Sequence, residues 1–339
     1  MTTQTQRPLN VSFRHGSTAE KAFRSQAGIP LREEIAPGIQ PSRPHDLIFH
    51  GGKTIKDLDF ANFYVGADAW PMGDMTDIDR ALPAAMSDTN LNNVMVQYFK
   101  GPITSTFKGS TALPGPAPTI VSQGDVEALV GSLASQGQFD QFDAGATVFN
   151  FLLPPGTVLN ADPGTSGGLE HGTARAAAKR GPIPKDDEDD SLHGLGGYHG
   201  SVHTPDGKTL YYAIGVYSER RADGTENGIA VFDKSWKNVV ATFYHELNEA
   251  RTDADVADAI RAGNDPGGVK FLGWTSRQGE ECGDFPVFEA GGDLTKVFQE
   301  VSLTAGGGTV PVQFEYSNAV HGPEGPIPTA HQHSKKKGA

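Results

Sequence analysis

The residues best placed to do chemistry are His245, Glu246 and Glu249, in the pentapeptide His245-Glu246-Leu247-Asn248-Glu249. An imidazole and a carboxylate four positions apart share one face of a helix. Such a pair can meet one ion, since zinc takes imidazole nitrogen and carboxylate oxygen at about 2.0 to 2.2 Å. Glu246 lies about 100° further round the helix. In the related His-Glu-x-x-His motif the glutamate at that place is the base that acts on the water at the metal. Here Glu249 stands where the second histidine would. The exchange keeps the geometry, adds negative charge and hardens the donor set, so Mn or Ca become alternatives to Zn.

Two donors do not complete a site. Asp253 falls on the same face further along the helix, Asp255 follows it, and Gly279-Glu280-Glu281-Cys282-Gly283-Asp284 is rich in acid. The expected third ligand is Glu281, with Asp253 and Asp284 as further ligands or as groups that orient His245. The ordinary outcome for so short a match is a salt-bridged surface helix. The flanks argue otherwise: Trp236, Val239, Val240, Phe243 and Leu247 make an apolar stripe, so this helix should pack into a core.

Other chemistries have less to stand on. There is no phosphate loop and no G-x-G-x-x-G after a strand; Gly306-Gly307-Gly308-Thr309 and Gly291-Gly292 read as turns. Ser166 sits in a G-x-S-x-G match, Gly164 to Gly168, with no strand leading into it. Cys282 is the one cysteine, and acidic neighbours raise a thiol's pKa and blunt it as a nucleophile. The acidic run from Asp186 to Asp190 reads as a solvated charge cluster.

The elements that must position these groups alternate between strand and helix. Residues 46–52 are a short apolar run stopped by a glycine pair; strands are expected at 60–66, 147–153, 210–217 and 228–232, with two or three more between 285 and 320. Helices are expected over 77–98, from an N-cap at Ser122 to about 136, and from about 233 through the metal motif. The Pro- and Gly-rich stretch 101–118 reads as a loop. The fold class is therefore α/β or α+β. Residues 1–45 read as an extended arm, 46–320 as one domain with a flexible insertion at about 160–195, and 321–339 as a disordered tail. With 42 Gly and 23 Pro the chain favours turns over a helical bundle.

A formal net charge of −13 removes nucleic acid and anionic membrane as general partners. No apolar run reaches the roughly 18 residues of a membrane span. The first residues carry no apolar stretch of signal-peptide length, which with a single cysteine favours the cytoplasm. Nothing here fixes an oligomeric state.

Five blocks in order resemble the exordium, or phosphate-induced, proteins and their bacterial and fungal relatives. These are His50-Gly51-Gly52, the strand ending in Phe151-Leu152-Leu153-Pro154-Pro155-Gly156-Thr157, Gly197-Tyr198-His199-Gly200, Tyr212-Ala213-Ile214, and the His-Glu-x-x-Glu helix followed by Thr252-Asp253, Gly273-Trp274 and Gly279 to Asp284. The resemblance spans roughly residues 46 to 320. It implies a zincin-like metallopeptidase core with a mixed sheet and an active-site helix, in which His245 and Glu249 are ligands, Glu246 is the base, Asp253, Glu281 and Asp284 match further acidic positions, and His199 matches a histidine of the family. Departures are Gly196 where the family has cysteine, Phe285-Pro286 in place of the cysteine after Asp284, and Ala254 for its proline. The secreted location usual in the family is the alternative to a cytoplasmic one.

Three functions are in play. The first is a zinc-dependent hydrolase of peptide or protein substrates with Glu246 as base and Tyr198, Tyr244 or His199 stabilising the oxyanion; the preference for peptide bonds rests on the zincin resemblance. The second is a non-catalytic binding or signalling protein whose ion, Ca or Zn, is closed off by carboxylates. In the third, His245 and Glu249 are only hydrogen-bonded in a core.

Overall fold

A computed structural model describes residues 35–161, 190–263 and 266–331. At its centre is a five-stranded mixed sheet. In chain order the elements are strand β1 (Asp57–Tyr64), helices α1 (Asp74–Ser87) and α2 (Thr89–Val96), strand β2 (Thr104–Ala112), helix α3 (Gln123–Ser135), and strands β3 (Thr147–Leu152), β4 (Gly197–His203) and β5 (Thr209–Gly215). Helices α4 (Ser235–Thr252), α5 (Val256–Ala262) and α6 (Asp284–Ala290) follow, then strands β6 (Phe298–Ser302), β7 (Thr309–Gln313), β8 (Glu315–Ser317) and β9 (Gly322–Glu324). The strand order across the sheet is β2-β1-β3-β5-β4. All neighbours are parallel except β4, the edge strand, which runs antiparallel to β5.

Helices cover both faces, so the inner strands read as nearly continuous apolar runs. Side chains alternate between two cores. Leu58, Phe60 and Tyr64 of β1, with Val148 and Leu152 of β3, meet α1 and α4. Ala61 and Phe63, with Phe149 and Phe151, meet α3 on the other face. Helix α3 starts where the sequence places it, with Ser122 and Asp125 forming a reciprocal capping box.

The structure departs from the sequence reading in several places. The expected loop at 101–118 contains β2, paired with β1 from Asp57↔Thr104 to Tyr64↔Ala112. Its Thr-Ser-Thr-Phe-Lys-Gly-Ser-Thr-Ala sequence has one large apolar residue because it is an exposed edge. The register shift between Phe60 and Asn62 is taken up near Gly109, whose φ of 109° suits a bulge. The expected helix 77–98 is two helices: Asp88 is extended and its carboxylate accepts from the Asn90 and Leu91 amides, ending one helix and capping the next. The expected strand at 228–232 is a loop, since the Val231 and Phe232 amides donate to Asn238 Oδ1 rather than to a neighbouring strand.

Domain margins also shift. Ala36 and Ile39 are buried, and Ile35 bridges to Glu324 of β9. Asp190 and Ser191 are buried too, where an exposed insertion was expected. Packing therefore continues outside 46–320 at both ends, through residues 35–45 and 321–331. Residues 1–34, the segment 162–189 with Ser166 and most of the acidic run, and the tail 332–339 lie outside the described residues. No helix among the described residues is long and apolar enough to cross a membrane.

Candidate metal centre

Helix α4 crosses beneath the sheet and is enclosed nearly all round: from Asn238 to Ala254 every residue but His245 is buried. Val239, Val240, Phe243 and Leu247 are fully buried. At about 1.5–3 kcal/mol per side chain, that burial can hold a helix that also buries charged groups. His245 is the point where the helix meets a cavity, its side chain 15% exposed.

The imidazole of His245 is fixed from behind. Gln313 of β7 donates through Nε2 to the Gly283 carbonyl at 2.6 Å, so its Oε1 accepts from His245 Nδ1–H at 3.0 Å. That tautomer leaves Nε2 with a lone pair, and Nε2 faces Glu249 Oε2 at 3.2 Å and Glu246 Oε1 at 4.0 Å. Two acceptors face each other with nothing donated between them, which is stable only with a proton or a cation in the gap. Gly283 lies so close that a Cβ there would fall 2.2 Å from Nδ1, so this loop can rest on the imidazole only as glycine.

Glu249 is shared by two groups of donors, each with ligand atoms mutually within 4.8 Å: His245, Glu249 and Asp284, and His199, Glu246 and Glu249. Its Oε1 accepts from the Gly283 amide at 3.1 Å. Asp284 begins α6, and its Oδ2 accepts from the Glu281 amide at 2.9 Å. His199 projects from edge strand β4 with Nδ1 3.5 Å from Glu246 Oε2 and 3.8 Å from Glu249 Oε2. Its Nε2 lies 3.5 Å from Glu281 Oε1 and 3.3 Å from the Asp253 carbonyl. Glu246 Oε2, Glu281 Oε1 and Asp253 Oδ2 are buried without a hydrogen-bond partner.

The sequence-expected residues thus divide. His245, Glu246, Glu249 and Asp284 converge, and His199 joins them from the sheet. Glu281 lies against His199 rather than in the His245 group. The carboxylate of Asp253 accepts from the Gly273 amide at 2.7 Å and belongs to neither donor group. Tyr198 is not at the cluster: next to His199 on a strand, it points to the opposite face and packs with Tyr212 and Ile214. Tyr244 is buried in the core and does not line the cavity beside the cluster. Sequence reasoning missed Gln313, which no local pattern marks, and Glu315, a buried acid of β8 with both oxygens unpartnered. An acid between Phe314 and Tyr316, two aromatic residues that a strand would bury, was the available signal for Glu315.

Charge is concentrated here. Burial pushes the carboxyl pKa values of Glu281, Asp284 and Glu315 well up, raises that of Glu246, and brings Asp253 to about 7. Burial acts against Glu249 too, but the charges of His245 and His199 and the Gly283 amide hold it below the ordinary value. For His245 and His199 burial pulls down, and the facing glutamates outweigh it, leaving both raised. Buried carboxyls crowded against two imidazoles are an arrangement whose charge a bound cation would balance.

A cavity of about 180 Å³ opens onto this cluster, lined by His245, Glu246 and Asp284 and by apolar Leu195, Ile229 and Phe288. His199, Glu249 and Glu281 lie behind it. A scan against protein-family models found no match, and searches of curated proteins and of solved structures found no significant one.

Proposed function

We propose that the protein is a metal-dependent hydrolase with a zincin-like core, acting on peptide bonds, whose ion is held by His245, Glu249 and Asp284. The observation that carries this reading is the 3.2 Å approach of His245 Nε2 to Glu249 Oε2, two acceptors aimed at one point. The donor set of one imidazole and two carboxylates fits zinc, with Mn or Ca as the alternatives. When bound, the ion supplies Lewis acidity and draws a water's pKa toward about 7.

This chain's own residues do the rest. Glu246 lines the cavity beside the donors, and its raised pKa suits a group that takes a proton from water and returns it to a leaving amine. His199, held between Glu246 and Glu281 behind the cavity, keeps the base charged or neutral according to its own proton. Gln313 fixes the His245 tautomer. The mixed sheet with the His-Glu helix packed beneath it supports the zincin-like reading. On this reading the chain is a relative of the exordium proteins.

One observation favours the non-catalytic alternative: the His199, Glu246 and Glu249 group is wholly buried. An ion there would use Glu246 as a ligand and leave no base. Metal content of Glu246→Gln decides between them. Metal retained, together with loss of cleavage of a fluorogenic peptide library, supports the hydrolase. Metal lost in Glu246→Gln, with no peptide cleaved by the wild type, gives the structural ion. No metal in the wild type, even after Zn, Mn or Ca is added, overturns both.

A further inference from the structure

Arg251 of α4 is fully buried, yet most of its guanidinium is unspent. Nη2 donates to the Thr104 carbonyl at 3.1 Å and to Ser105 Oγ, while Nε and Nη1 have no hydrogen-bond partner. Among the described residues no carboxylate forms an ion pair with it. Asp57, the acid whose charge it feels, has Oδ1 engaged by Thr104 Oγ1 at 2.8 Å. A buried, unpaired guanidinium is strongly unfavourable unless an anion completes it. A guanidinium keeps its charge in a protein at neutral pH.

Arg251 helps line a cavity of about 320 Å³ whose other walls include Ser87, Thr89, Asn92, Asn93 and Ser105. Thr89 and Ser105 offer hydroxyl hydrogens and Asn93 the second hydrogen of its amide, while Ser87 Oγ already donates to the Pro83 carbonyl and Asn92 Nδ2 to the Ala85 and Asp88 carbonyls; Met86, Val96, Pro102 and Ile103 complete the wall. Asp88 also lies on the wall, but its oxygens are engaged by the Asn90, Leu91 and Thr304 amides and by Thr304 Oγ1. A second cavity, of about 480 Å³, shares Asn93, Val96 and Pro102 with the first and adds Lys100. In a chain of net charge −13, two cationic side chains, Arg251 and Lys100, border this mixed polar and apolar hollow. None of His199, His245, Glu246 or Asp284 borders either cavity.

We propose that this hollow binds a small oxyanion ligand, a carboxylate or a phosphate, with Arg251 and Ser105 at its inner end and Lys100 at its outer end. Ser105 Oγ accepts from Arg251 Nη2, which leaves its own hydrogen to donate to the ligand. The bond is charge-assisted through the guanidinium behind it. This site is separate from the metal centre and does not depend on it.

The test is isothermal titration of inorganic phosphate, and separately of succinate, into the full chain at constant ionic strength set with chloride. Wild type should take up one equivalent of at least one of them, and which one binds identifies the oxyanion class. Ser105→Ala, which leaves Arg251 Nη2 its bond to the Thr104 carbonyl and is read where circular dichroism shows it folded, should bind about tenfold more weakly. Arg251→Met should not bind, read only where circular dichroism shows it folded. His245→Ala should bind as wild type does. No saturable binding of either anion at millimolar concentration overturns the proposal. So does binding unchanged in Ser105→Ala, or binding lost in His245→Ala, which would place the anion at the metal cluster.

Discussion

Nε2 of His245 and Oε2 of Glu249 stand 3.2 Å apart, one turn of α4 from each other, and the proton of the imidazole is committed to Gln313 on its far side. Whatever fills that gap must be positive. A proton and a divalent cation therefore compete for the same place, and the buried acids around it decide how strongly each is held. Stability, metal content and activity are coupled through this one contact.

The competition fixes a pH dependence. A histidine with a raised folded pKa stabilises below its unfolded value and loses that contribution as pH rises through the folded value; His245 and His199 are of this kind. Buried acids with raised pKa act in the same direction, because the folded chain keeps a proton that the unfolded chain has released. For Asp253 the window runs from 3.8 to about 7. Only Glu249 in the cluster opposes this. Metal-free protein should therefore lose stability as pH rises from about 5 to about 8. With metal the trend should reverse, since the ligands bind only when deprotonated. Urea melts across this range, with and without chelator, check both; a metal-free protein that grows more stable with pH would contradict the cluster's geometry.

Glu246→Gln keeps the shape of the side chain and removes its basicity. If the ion sits with His245, Glu249 and Asp284, metal content should stay near wild type and peptide turnover should fall by about 10²- to 10⁴-fold. His245→Ala and Glu249→Ala should lose metal and activity together. Elemental analysis beside a kinetic assay separates the two effects.

Much of this centre was legible in sequence because it is local. His245, Glu246 and Glu249 occupy one helix, and helical periodicity alone places them together. Asp284 was visible as one of several acids, but choosing it over Glu281 needs the start of α6, where the Glu281 amide turns back onto Asp284 Oδ2. Tyr198 was misplaced for lack of one fact, which face of β4 meets α4; strand alternation then sends it away as surely as it brings His199 in. Strand β2 was hidden because an exposed edge needs few apolar residues, and its pairing with β1 spans α1 and α2. Gln313 and Glu315 reach the site only through the pairing of β6 with β7 and the packing of β7 on α4, which no short pattern encodes.

Gly283→Ala tests how the loop seats the imidazole. The backbone there has φ of −92°, which alanine adopts freely, so the only penalty is the Cβ 2.2 Å from His245 Nδ1. The imidazole or the loop must move, and the Gln313 hydrogen bond goes with it. Metal affinity should drop by about 10- to 100-fold, as for lost orienting contacts elsewhere. Thermal stability of the metal-free protein should change far less than affinity. Unchanged affinity would show that this glycine does not set the position of His245.

Asp88→Ala tests the break between α1 and α2, away from the metal centre. The carboxylate caps α2 through the Asn90 and Leu91 amides and ties it to Thr304 through that residue's amide and hydroxyl. Losing the cap should cost about 0.5–2 kcal/mol. Losing the neutral partners on Thr304 should add about 1 kcal/mol. Asp88→Asn should recover most of the cap, because its amide oxygen still accepts from α2, while giving up the charge-assisted part. Denaturant unfolding of the three proteins should rank wild type above Asn above Ala, with metal content the same in all. If the Ala variant matches wild type, the helices are separated by something other than this cap.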